Sequence, residues 1–207
     1  YTVLVFVSLD DLISTYCTLF KLNTSDCALA RGYWQNGRVG EVKGDYLIIY
    51  TGPNWQNRPE HARRKVLFHE QTHQAQYTIS NHFTTWSWPR WIAEGGAEYI
   101  ANKMNHAYGF ADMNMVERAD IASLVMPLPT LASLEDTATF FSFPNNNAWA
   151  LSALGARVLE EVTNESPIAL WEENLVSSWE EGFHRKYRLT KEEFYSIFDT
   201  IKQAQFH

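Results

Sequence analysis

Residues 69–73 read HEQTH, two histidines four positions apart with a glutamate beside the first. On an α-helix, residues four apart share a face, so His69 and His73 can aim their imidazoles at one point. Imidazole nitrogens are good zinc ligands, and a third protein ligand leaves a fourth position for water. Glu70 sits about 100° further round the helix, within reach of that water without ligating the metal. The bland alternative is a chance pair of histidines on one helix turn, which the bare pattern yields in on the order of one chain in a hundred of this length. Here, however, the pattern lies in an amphipathic stretch in which Ala62, Val66, His69, Glu70, His73 and Tyr77 share a face. Two imidazoles and a carboxylate on a core-facing stripe are costly unless something binds them.

A third ligand is offered by WIAEGGAEY, residues 91–99. Glu94 and Glu98 are one turn apart among Trp91, Ile92, Ala97 and Ile100, an awkward setting for unpaired carboxylates. Either glutamate completes a His–His–Glu set, and spacing leaves the two interchangeable. Gly95-Gly96 weakens a helix by roughly a kcal/mol per glycine. That cost predicts a packing reason, a close approach of this helix to the HEQTH helix.

The elements that must hold these residues follow from periodicity. Helices are predicted over about 59–79 and 89–105, which carry the two motifs, and over about 113–125 and 148–162. Ser166-Pro167, Ser178 with Glu181, and Thr190 with Glu193 mark further helix starts. Upstream, Val3 to Val7 reads as a strand, and Asp10 or Asp11 as the cap of a helix carrying Leu12, Ile13, Tyr16, Leu19 and Phe20. Asn36-Gly37 and Gly44-Asp45 are turn signals separating the runs CALARGYW, RVGEVK and DYLIIYT, which predicts a small antiparallel meander. Residues 51–59 read as a loop. The fold class is therefore α+β: a small N-terminal mixed or antiparallel sheet followed by a mostly helical lobe. One domain is predicted over 1–207, with 1–80 as an α/β upper part carrying the HEQTH helix and 81–207 as a helical lower part.

Composition narrows the function classes. The chain has 207 residues, 45% hydrophobic and 14% aromatic, which excludes a disordered segment. Its formal charge of −7 argues against a nucleic-acid partner, because no basic stripe exists to displace phosphate counterions. No apolar run approaches the ~20 residues of a membrane span, and TVLVFVSL is too short and too quickly followed by Asp10-Asp11 to be a signal peptide. The chain begins almost inside its first strand, which predicts a processed or truncated chain, with preceding residues removed or left out. Cys17 and Cys27, the two cysteines, lack metal-type spacing. A disulfide between them is predicted, and with it an extracellular or periplasmic location; two buried thiols are the alternative.

HEQTH, followed after twenty residues by the glutamate of WIAEGGAEY, resembles the gluzincin metallopeptidases of the MA clan: thermolysin-like, aminopeptidase-N-like and bacterial collagenase-like enzymes. The E-G-x-A-E-Y form is similar to the collagenase-like members. The likeness covers residues 60–103 and continues more weakly through 148–162 and 180–198. It implies a zincin-like fold with His69, His73 and Glu94 as zinc ligands. It implies Glu70 as general base, and Glu98 as the acid that orients a ligand histidine through its other ring nitrogen. It further implies hydrolysis of peptide or protein substrates by zinc-activated water. The G-x-M-E-N motif of aminopeptidases is absent, so an endopeptidase is expected.

The sequence departs from the clan at its oxyanion stabiliser, a Tyr or His usually found near the helix equivalent to 145–159. That stretch contains no tyrosine. Asn145 to Asn147 or Trp149 stand there, and Tyr99, His106, Tyr108 and Tyr187 are unranked substitutes. The departure keeps open a weakly active or inactive zincin-like domain that binds a protein or surface partner. A helical interaction module with a chance HExxH is a third reading, disfavoured by WIAEGGAEY. Substrate is expected along the strand at Asp45 to Thr51, taken as the sheet edge. Trp55 and Trp86 to Trp91 flank the metal segments as possible subsites. His61, His82 and His184 are read as surface residues, and His207 is terminal.

Overall fold

Strand β1 (Thr2–Phe6) leads into α1 (Leu9–Leu19), whose N-cap is Ser8: its hydroxyl accepts from the Asp11 amide. Asp10 and Asp11 lie instead in the first turn, where carboxylates complement the helix dipole. The computed structural model describes residues 1–80, 88–143, 147–173 and 178–206.

The run CALARGYW is not a strand. It belongs to α2 (Thr24–Gln35), opened by Asn23, whose side chain accepts from the Asp26 amide and donates to the Asp26 carboxylate. Its apolar residues fall at 27–30 and 33–34, and it is the pair four apart, Ala30 and Trp34, that is buried. Asn36-Gly37 is consequently a helix end: Asn36 is the C-cap, and Gly37 leaves it at φ +117°. The disulfide Cys17–Cys27 joins α1 to α2 across a Cα separation of 5.7 Å.

Two further strands, β2 (Gly40–Lys43) and β3 (Tyr46–Tyr50), form a hairpin, with Gly44 supplying the positive φ its two-residue turn requires. The sheet order is β1-β3-β2, with β1 parallel to β3 and β2 antiparallel to it. The sheet is therefore mixed, and the predicted edge at Asp45 to Thr51 is its centre. Pairing with β1 from far upstream covers that side of β3 and leaves β2 as an edge. Residues 51–59 include a single helical turn, α3 (Pro53–Gln56).

The helical part follows the predicted periods closely. Its elements are α4 (Glu60–Ile79), α5 (Arg90–Ala107), α6 (Met113–Ala122), α7 (Thr137–Ser142), α8 (Asn147–Thr163), a 3₁₀ turn (Pro167–Glu173), α9 (Trp179–Tyr187) and α10 (Lys191–Phe206). Thr190 and Glu193 form a full capping box, each capping the other, and Ser178 accepts from the Glu181 amide as the N-cap of α9. The short α7, capped by Asp136 inside a stretch that reads as linker, is not visible in the periodicity.

The buried apolar residues form two separate cores. Leu12, Ile13, Tyr16, Trp34, Ile48 and Tyr50 pack α1 and α2 onto the sheet. Trp91, Phe140, Trp171, Phe183, Phe194 and Phe198 fill the helical part around α5 and α8. Trp88 and Trp91 belong to this second core, Trp88 against Trp171 and Trp91 donating to the Tyr195 hydroxyl. Neither is a substrate subsite; Trp86 lies outside the described residues. Helix α4 bridges the two regions, contacting β2, β3 and α5.

Of the double glycine of α5, Gly95 has the steric reason. A Cβ at Gly95 would run into the Ser152 carbonyl, so this glycine admits α8 and not the HEQTH helix. Gly96 faces Pro167 and the Gln76 amide of α4, where a Cβ would stand at ordinary contact distances of 3.6 and 3.8 Å, so the approach to the HEQTH helix does not itself require a glycine. Among the described residues, no helix is long and apolar enough to cross a membrane.

Candidate metal centre

Helix α4 turns His69 and His73 towards Glu94 of α5, and the three side chains offer ligand atoms that converge. His69 Nε2 lies 3.0 Å from His73 Nε2 and 3.2 Å from Glu94 Oε2, and His73 Nε2 lies 3.5 Å from the same oxygen. Ligands about 2.0–2.1 Å from a tetrahedral ion stand about 3.3 Å from one another. The triangle thus already has the edge lengths of three corners of such a site, and its nitrogen and carboxylate donors suit a divalent transition metal.

Each ligand is held from behind. His69 Nδ1 meets Glu98 Oε2 at 3.1 Å, and Glu98 in turn pairs with Lys65. The Arg90 guanidinium holds the second oxygen of Glu94 at 2.7 Å, leaving Oε2 for the histidines. His73 Nδ1 meets Gln76 Oε1 at 2.7 Å. Spacing left Glu94 and Glu98 equivalent; in the structure Glu94 joins the converging atoms and Glu98 stands behind His69.

The charges respond to this packing. Burial opposes a charge on His69, but Glu94 and Glu98 outweigh it and raise its pKa to about 10. Burial would likewise raise Glu98, yet Lys65 and His69 hold it at about 2. Glu94 is also held well below the carboxylate range, because His73, His69 and Arg90 outweigh its burial. In the metal-free protein the charged His69 ring is therefore held between the Glu94 and Glu98 carboxylates, with His73 Nε2 3.0 Å from its Nε2. Glu70 behaves differently: burial pushes its carboxyl up, only partly opposed by His69 and His73.

The cluster opens into a cleft of about 510 Å³. One wall is edge strand β2, crossing so close above α4 that a Cβ at Gly40 would stand 2.8 Å from Glu70 Cγ and 3.0 Å from its carboxylate oxygen. The other wall is aromatic, formed by Phe141 of α7 and Trp149 of α8, whose rings lie 5.5 Å apart. Phe141 is 47% exposed, and the Arg90 guanidinium packs 5.1 Å from its ring centre.

None of the substitute oxyanion residues lines this cleft. Tyr99 is buried against a separate small cavity, Tyr187 donates to the backbone of Ser166 and Pro167, and His106 and Tyr108 are exposed at the far end of α5. Asn147 clamps both backbone groups of Val125, while Asn145 and Asn146 lie outside the described residues. Trp149 does line the cleft, as do Tyr77 and Arg38, which sequence reasoning did not assign a role. Tyr77 was visible as the next residue of the His69–His73 stripe; Arg38 carried no local signal. Gln76 and Arg90 were also missed, although each lies one helical turn from a candidate ligand. Trp55 is not among the lining residues, His61 and His184 are exposed as expected, and His82 and His207 lie outside the described residues. Compared with protein-family models, curated proteins and solved structures, the chain matches none of them.

Proposed function

We propose that this protein is a zinc metallopeptidase of gluzincin type with a zincin-like fold, acting as an endopeptidase on extracellular or periplasmic substrates. The carrying observation is the His69–His73–Glu94 triangle of metal-site dimensions, with Glu70 beside it in an open cleft. A structural metal has no need of a neighbouring base, so the position of Glu70 favours catalysis over a purely structural site.

A zinc ion held by His69, His73 and Glu94 would supply a Lewis acid able to polarise a carbonyl and acidify water. Glu70 accepts the proton of the attacking water and returns it to the leaving amine nitrogen. Glu98 and Arg90 position His69 and Glu94 and take no part in proton movement. Arg38, Lys43, Tyr77, Arg90 and Trp149 all line the cleft with donor-bearing side chains, and a developing oxyanion would draw its stabilisation from among them. An extended substrate lies along β2, the sheet edge, adding main-chain hydrogen bonds, and turns its side chains towards Phe141 and Trp149. The disulfide supports the location outside the cytoplasm.

A peptide library incubated with the zinc-loaded protein should be cleaved internally, with large apolar side chains preferred near the cut, and a chelator should stop the reaction. No cleavage by protein shown to carry zinc would replace this reading with a second: a zincin-like domain that binds a protein or surface partner. That Tyr99, His106, Tyr108 and Tyr187 do not line the cleft is what favours that second reading.

The close crossing of β2 gives an independent check. Gly40→Ala should push the Glu70 carboxylate aside while leaving the three ligands untouched. Displacing a catalytic group by about 1 Å costs up to about 100-fold, so a drop of about 10- to 100-fold in kcat at unchanged zinc content is expected. Full activity in this variant would mean that Glu70 does not work from the position described.

A further inference from the structure

Gln76 is fully buried on α4, in direct contact with a candidate ligand. A primary amide in that setting is costly unless both of its ends are satisfied. Here both are. Its Nε2 donates to the Ala93 carbonyl at 3.1 Å, and its Oε1 lies 2.7 Å from His73 Nδ1. Turning the amide over would set oxygen against the Ala93 carbonyl oxygen, so the first contact fixes the orientation of the second. Oε1 can then only accept, and His73 must carry its proton on Nδ1. The lone pair of His73 is left on Nε2, the atom facing His69 and Glu94.

We propose that Gln76 is a positioning residue for the metal centre. It locks His73 in the Nδ1–H tautomer and ties that ring to the α5 backbone one residue before Glu94. The role towards metal rests on the proposed zinc site, whereas the tautomer does not. Two ligands on different helices are thereby held at a fixed separation through a single side chain. The two histidines are served by different chemistry: His69 backs onto the Glu98 carboxylate, His73 onto an amide. An amide is what the position at residue 76 demands, since one group must both accept from the imidazole and donate to a carbonyl. Glutamate keeps the acceptor and loses the donor. Methionine, of similar length, loses both.

These differences define the test. In metal-free wild-type protein, long-range ¹H–¹⁵N correlation spectra should show His73 protonated at Nδ1. Zinc affinity, read by competition with a chromogenic chelator, should fall about 10- to 100-fold in Gln76→Met, the usual loss when a partner behind a ligand histidine is removed. Gln76→Glu should recover most of that loss and keep the tautomer, because it still accepts from Nδ1–H. A purely structural role predicts the opposite order, with the buried carboxylate of Gln76→Glu more harmful than the methionine. Overturning results are a wild-type His73 protonated at Nε2, a Gln76→Met protein that binds zinc like the parent, or a Gln76→Glu protein that binds it more weakly than Gln76→Met. Should either variant fail to fold, the wild-type tautomer decides alone. Wild-type protein that takes up no zinc would sink the metallopeptidase reading, and the tautomer would still test the clamp.

Discussion

Glu70→Gln is expected to keep its zinc and to lose about 10²- to 10⁴-fold in peptide hydrolysis, the usual worth of a positioned general base. The substitution is nearly isosteric, which matters because Gly40 leaves no room above this side chain for anything larger. None of the three converging ligand atoms belongs to Glu70, so the triangle should persist. What disappears is the ability to take a proton from water, since an amide oxygen is far too weak a base. Removing a carboxylate that burial disfavours should also leave the fold at least as stable as the parent. Metal content, melting temperature and turnover measured on the same preparation separate these effects. Parental turnover in this variant would remove Glu70 from the mechanism. Loss of zinc would instead make it part of the metal site.

The two helices that build the centre were legible because their chemistry and their period coincide. His69, His73 and Tyr77 repeat every four residues, and Glu94 and Glu98 do the same among apolar neighbours, so a 3.6-residue helix was the only economical reading. The upstream region was less legible where local pattern is ambiguous. CALARGYW is a short, mostly apolar run whose period does not separate strand from helix, and the deciding features are Asn23 as a cap and the buried pair Ala30 and Trp34 four apart. The central place of β3 depends on its pairing with β1 from the far end of the first fifty residues, which no local window contains. Distance along the chain also hid the second wall of the cleft. Phe141 reaches the site only because Asp136 caps a short helix within a stretch that reads as a loop. Gln76 was hidden for another reason. Glutamine on a helix ordinarily marks the solvent side, and only the carbonyl of Ala93 on a neighbouring helix makes a buried amide affordable.

Zinc affinity should fall by an amount approaching tenfold for each pH unit below about 10, roughly 100-fold between pH 9 and pH 7, because His69 must give up its proton before it can bind metal. An unperturbed histidine would stop competing above its ordinary value near 6.5. The same shift governs the stability of the metal-free protein, with a definite sign. The folded pKa of His69 is raised, so its contribution is complete below 6.5 and is lost as pH rises through about 10. Glu98 acts in the other direction: its folded value is depressed to about 2, so its contribution is complete above about 4.5 and is lost as pH falls towards 2. Metal-free protein should therefore be most stable between these windows, at about pH 4.5–6.5 as far as these two groups decide it, where zinc binds poorly. Raising the pH weakens the proton-bridged cluster and strengthens metal binding together, so zinc should stabilise the protein most on the alkaline side. Thermal denaturation of chelator-treated and zinc-loaded protein across pH 4 to 10 reads both curves. A metal-free melting temperature that stays flat from pH 6.5 to 10 would show that His69 is not held protonated by Glu94 and Glu98, and the cluster would then lack the charge pairing on which its geometry depends.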